Sequence, residues 1–203
     1  MRSCRPWPAT HSPQDLRMHP RTVWYSTLII LGLAATAARA APQPASFWQY
    51  PAIAGYGPEH TWPGVVERPQ KRATYKALFD LTQGKAQATT VNPGLDHIAR
   101  TINIFAGAGI PLDHLRFAVI IHGPATAIVL SGAAYQARFG HPNPNLALIS
   151  ALRKAGVKLM VCGNALGDMH LTPAEVNPHI HVALSALSTV IILQNQGYAL
   201  VRM

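Results

Sequence analysis

LRFAVIIHG, residues 115–123, decides the fold: after Arg116 it stays apolar to Ile121, without the alternation that marks a half-exposed strand. An unbroken run of this kind, closed by glycine, reads as a strand buried on both faces. Such a strand needs helices above and below it.

The neighbouring segments supply them. VKLMV (157–161) repeats the buried-strand signature, and ATYKALFDLT (73–82), HIHVAL (179–184) and YALVRM (198–203) read as three further strands. Between them, NPGLDHIARTINIFAGAG (92–109) predicts a helix with Asn92 as cap, Pro93 in the first turn and Gly109 near the end. ATAIVLSGAAYQARFG (125–140) is helical in part. NPNLALISALRKAG (143–156) predicts a helix capped by Asn143, with Pro144 at its first position and Gly156 past its end, and SALSTVIILQNQG (185–197) predicts the last helix. Strands separated by helices imply right-handed crossovers. The expected fold class is therefore α/β, a three-layer αβα sandwich around a mainly parallel five-stranded sheet, occupying 72–203.

Upstream the chain changes character. Residues 1–40 carry Arg2, Arg5, Arg17 and Arg21, then the apolar stretch VWYSTLIILGLAATA, then Ala38-Arg39-Ala40. A basic head, a short apolar segment and an Ala-x-Ala ending make a secretory signal, with Ala41 as the mature N-terminus. The apolar segment is shorter than the ~20 residues of a spanning helix, so no stable membrane span is expected after cleavage. The expected location is the periplasm or the exterior. Residues 41–71 are rich in proline and in the aromatics Phe47, Trp48, Tyr50, Tyr56 and Trp62, and predict an irregular extended arm that rests on another surface.

The 203 residues are 49% hydrophobic and 12% charged, enough for one full core. Formal charge is +9, but removing 1–40 leaves twelve Lys+Arg against seven Asp+Glu, or +5. The remaining basic residues are scattered without aromatic interleaving, and nucleic acid is not expected as a partner.

In parallel sheets, ligands gather beyond the carboxyl ends of the strands. Two loops qualify, HGPAT after the second strand and CGNALGD after the third. Cys162 directly follows a strand and precedes Gly163, which lets the chain turn, and Asn164. A thiol facing the unpaired N–H groups of a starting helix is favoured as thiolate, whereas free cysteine is also among the most buried residue types. Cys4 leaves with the signal, so the exported chain holds one thiol, which is sheltered, paired with another molecule or kept for chemistry. His122 ends the adjacent strand and can assist Cys162 or simply complete a hydrogen bond. In GHPNPN (140–145), Asn143 or Asn145 is most simply a cap; the functional alternative places Asn145 at the mouth of the site. His179 and His181 share a face at spacing two on the expected strand, but no ligand spacing diagnostic of metal occurs. Neither metal nor cofactor is expected. The chain has no Gly-x-Ser-x-Gly elbow, no phosphate loop, no dinucleotide fingerprint and no paired carboxylates, which removes the main support for hydrolase, nucleotide-binding and glycosidase readings.

Taken together, FAVIIHGPAT, NPNLALISALRKAGVKLMVCGNAL and HVALSALSTVIILQNQGYAL resemble the DsrE/DsrF-like family, in particular its exported members, from about Tyr75 to Val201. The resemblance implies a small α/β domain assembled into a homo-oligomer, a trimer or a hexamer. It also implies that Cys162 matches the cysteine that accepts persulfide sulfur in the sulfur-relay members, with a thiol or persulfide protein as donor or acceptor. Asn164 stands where exported relatives often carry glutamine. Because the relay members are cytoplasmic, a non-enzymatic ligand-binding or assembly module of the same fold is the alternative.

Overall fold

The computed structural model describes residues 47–85 and 88–203; the expected signal peptide and the first residues of the arm lie outside them. The elements in chain order are β1 (Tyr75–Leu81), α1 (Pro93–Gly107), β2 (Leu115–Ile121), α2 (Gly132–Phe139), α3 (Leu146–Lys154), β3 (Lys158–Cys162), α4 (Gly163–Asp168), β4 (His181–Ala183), α5 (Ala186–Asn195) and β5 (Ala199–Arg202). The strands form one sheet in the order β4-β3-β2-β1-β5, and every pair is parallel. This is the expected α/β class.

The strand order explains the layers. The chain steps from β1 to β4 in one direction and then returns across the sheet to β5. With right-handed crossovers, the first three connections lie on one face and the returning helix α5 on the other. On the first face Phe79, Leu81, Phe117, Val119, Ile121, Leu159 and Val161 pack with Leu95, Ile98 and Ile102 of α1 and Leu148, Ile149 and Leu152 of α3. On the second, Leu78, Ala118, Ile120, Met160 and Cys162 pack with Ala186 and Leu193 of α5. Successive residues of β2 thus serve both cores, which is why the strand is apolar from Phe117 to Ile121.

Asn92 caps α1 as expected, its side chain accepting from the Gly94 and Leu95 N–H groups at 2.8 and 3.2 Å. The start of α3 differs. The helix begins at Leu146 with Asn145 in the cap position, and Asn143 is not its cap. The carbonyls of Ile128 and Leu130, at the end of a buried 3-10 segment, need donors, and the Asn143 amide supplies them at 3.0 and 2.8 Å. Its oxygen accepts from the Asn145 backbone and side-chain nitrogens, both at 3.0 Å.

Two strand limits are also corrected. Cys162 is the last residue of β3 and is registered with Ala183, so it lies within the sheet rather than after it. His179 precedes β4, its N–H donating to the Asn177 side chain at 2.9 Å; it does not alternate with His181 on one strand.

The described part of the arm lies on α1. Asn103, fully buried, accepts from the Ala52 and Ile53 N–H groups at 2.9 and 2.8 Å and donates to the Tyr56 and Gly57 carbonyls, both at 2.9 Å. One helical side chain therefore satisfies the turn that lies between Gln49 and Glu59, whose backbones pair with each other at 2.9 and 3.0 Å. Ile53 enters the core, and Tyr56 packs partly against it, whereas Trp48, Tyr50 and Trp62 stay exposed. Phe47 and His60 stack with centroids 3.6 Å apart, and Trp62 meets His60 edge-on.

Candidate functional site

The carboxyl ends of β1, β2 and β3 bring three polar side chains to the face covered by α5. In β2 and β3 the register pairs Ile121 with Val161, so His122 and Cys162 occupy the next row. His122 keeps extended backbone, φ −157° and ψ −178°, and its N–H donates to the Leu81 carbonyl at 3.1 Å, so the alternation of β2 continues through it. Ala118 and Ile120 face α5; His122 follows on the same face. Likewise Met160 leads to Cys162, and Leu78 leads to Asp80.

His122 Nε2 lies 2.6 Å from Asp80 Oδ1, an ion pair when the ring is protonated and a hydrogen bond otherwise. Both side chains are only partly exposed, which limits competition from water. Across β5, Arg202 shares the Asp80 row. Arg202 and Asp80 thus share one row, level with Ile120, and His122 and Cys162 stand two residues further on, at the ends of β2 and β3.

Cys162 is 6% exposed and free of disulfide bonding. It packs in the smaller core with Ala165 and Ala186. Gly163 sits in a tight space: a Cβ there would stand 3.0 Å from the Ala183 carbonyl oxygen and 3.3 Å from that of Leu184. Asn164 is exposed in the first turn of α4. An open cleft of about 430 Å³ runs along β3 and β4, lined by Lys158, Met160, His181, Val182 and Ala183.

Asn145 does not join this group. It is fully buried at the start of α3, its oxygen accepting from the Asn92 N–H at 2.8 Å and its amide donating to Asn143. This links the starts of α1 and α3 and leaves no part of the side chain for a ligand. Asp80 was not singled out from the sequence. The one signal for it is a carboxylate inside the apolar run of ATYKALFDLT, whose partner lies 42 residues away. Among the described residues, no three His, Cys, Asp or Glu side chains gather where they could hold a metal ion. No described helix is long and apolar enough to cross a membrane.

No curated protein matches the chain. A solved structure of a protein of unknown function from Methanobacterium thermoautotrophicum is similar with a TM-score of 0.46 at 18% identity, over 64% of this chain and 99% of that one. The model of the DsrE/DsrF-like family matches residues 76–203, which take in Cys162, β1 from its second residue and the other four strands whole. The chain belongs to the DsrE/DsrF-like family.

Proposed function

We propose that this chain is an exported sulfur-handling protein whose Cys162 accepts sulfane sulfur and passes it to a partner thiol. The observation that carries the reading is the position of the thiol: it ends an interior strand of the parallel sheet, in the same row as His122. In the step proposed, the Cys162 thiolate attacks the outer sulfur of a persulfide donor. A new S–S bond forms on Cys162, the donor's S–S bond breaks, and its electron pair leaves with the donor thiolate. No cofactor is consumed.

Export is supported by the pattern of residues 1–40, and N-terminal sequencing of secreted or periplasmic material should begin at Ala41. Assembly into a homo-oligomer, a trimer or a hexamer, is supported by the face of α5, where Leu187, Ile191 and Ile192 are exposed beside Leu184.

The test of sulfur transfer is intact mass after incubation with a low-molecular-weight persulfide. The protein should gain the mass of one sulfur atom, the Cys162→Ser variant should not, and a thiol should remove it. The near-complete burial of Cys162 favours a second reading, a ligand-binding or assembly module in which the thiol is only a small hydrophobe. Under that reading the mass stays unchanged and Cys162→Ser leaves ligand binding and assembly intact, at some cost in stability.

A further inference from the structure

Among the described residues Glu59 is the one buried carboxylate, 4% exposed, and no cation comes within ion-pair distance of it. A buried charge is costly unless something of opposite sign answers it. The arm and α1 hold this carboxylate in a defined place. The backbone of Glu59 is fixed by its paired bonds to Gln49, and the side chain lies on the last turn of α1, where a Cβ at Gly107 would stand 2.6 Å from Oε1. The Thr61 hydroxyl donates to Oε2 at 3.1 Å. Oε1 receives no hydrogen bond, yet it is not sealed from solvent.

Nothing nearby supplies the missing charge. The last turn of α1 has no basic residue, and a helix carries partial negative charge at this end. The Lys71 side chain lies along Gly109, past the helix, and does not pair with Glu59. His60 is stacked on Phe47, with Nδ1 2.8 Å from the Phe47 carbonyl oxygen. Arg68 lines the rim without an ion pair.

An open groove of about 220 Å³ lies between the loop that follows Glu59 and the end of α1, lined by Glu59, Trp62, Val65, Val66, Arg68 and Ile104. Trp62 is held edge-on by His60 and Phe47 while more than half of it stays exposed. Val65, Val66 and Ile104 are exposed apolar walls. An indole attracts cations, a carboxylate with a vacant oxygen accepts from N–H groups, and apolar walls shelter hydrocarbon. We propose that this groove binds an organic ammonium ion, with the charged head on Glu59 Oε1 beside the Trp62 ring and the hydrocarbon part along Val65, Val66 and Ile104. The site is independent of Cys162. A metal ion fits less well, because no group of three His, Cys, Asp or Glu side chains gathers here or elsewhere among the described residues.

The experiment titrates the ¹⁵N-labelled full chain with n-butylammonium, n-butanol, butyrate or calcium ions and follows the indole N–H signals, that of Trp62 being assigned by its loss in Trp62→Phe. The Trp62 signal should move with butylammonium, which should bind at least about tenfold more tightly than n-butanol. Butyrate and calcium should leave it in place. Glu59→Gln keeps the shape and the acceptor for Thr61, and should weaken butylammonium binding at least about tenfold while leaving n-butanol unaffected. Gly107→Ala crowds the carboxylate but suits a helix, so it should weaken butylammonium binding without lowering the melting temperature. A lysine side chain carries the same head. Tighter binding of acetyl-lysine amide than of butylammonium would make the natural occupant a protein lysine, and weaker binding a free amine.

Equal affinity for butylammonium and n-butanol would reduce the groove to an apolar surface and overturn the proposal. A larger response to calcium would do the same in favour of a metal ion. Unchanged butylammonium binding in Glu59→Gln would remove the carboxylate from the site. If Glu59→Gln fails to fold, the wild-type titrations and Gly107→Ala decide the matter without it.

Discussion

The backbone of Gly57 lies on the backbone of Arg100 so closely that a Cβ at Gly57 would stand 2.0 Å from the Arg100 nitrogen. Gly57 also has φ +57°, where a side chain is strained whatever the space. Gly57→Ala should therefore lift the arm from α1 and cost about 2–4 kcal/mol. Gly55 provides the control. It has φ +77° but nothing near its missing Cβ, so Gly55→Ala should cost only about 1 kcal/mol. Urea unfolding measures both, and limited proteolysis should cut the arm faster only in Gly57→Ala.

A similar pair tests the turn after Cys162. Gly163→Ala pushes a methyl group against the Ala183 and Leu184 carbonyls and should destabilise by about 1–3 kcal/mol. Gly167, in the same short helix, has open space at its Cβ, and Gly167→Ala should be neutral or stabilise by up to about 1 kcal/mol. Equal effects at the two positions would show that α4 does not press on the end of β4.

How far the site was legible follows from these contacts. LRFAVIIHG exposes its burial because both faces of one strand must be apolar, and the same holds for VKLMV. His122 and Cys162 could be read as the ends of neighbouring strands because each closes such a run. Asp80 could not, since a single carboxylate says nothing of a partner reached through a parallel register. The Asn-Pro-Asn turn misled for a related reason: capping residue types look alike in sequence. The buried carbonyls of Ile128 and Leu130 that claim Asn143 are known only from the packing. In the arm, aromatic content suggested the anchor, yet Ile53 is the residue that plugs the core.

Leu187→Lys combined with Ile191→Lys tests assembly. Both side chains are more than half exposed, so charge there should not unfold the domain. Light scattering should show a smaller particle than the wild type with unchanged circular dichroism. The same mass in both would remove this face from the interface.

Glu175 gives a pH signature. Its carboxylate accepts from the Thr172 N–H at 2.8 Å and from the Thr172 hydroxyl at 2.9 Å, and these bonds hold its pKa below the ordinary 4.5. A lowered folded-state pKa means stabilisation is complete above the unfolded value and disappears as pH falls through the folded one. A carboxyl ¹³C titration should show a midpoint under 4.5, returning toward that value in Thr172→Ala.

The return of the chain through α5 sets an order of events in synthesis. β5 pairs with β1, so residues 77–80 wait for residues 199–202 before their second edge is closed. Until then β1, an interior strand of the finished sheet, is an open edge, and until α5 forms the face that includes Cys162 has no helix over it. Contacts this distant in sequence form slowly. The shielding of Cys162 by α5 and the closure of the sheet by β5 therefore both wait for residues 186–202 and fall late in the making of the domain.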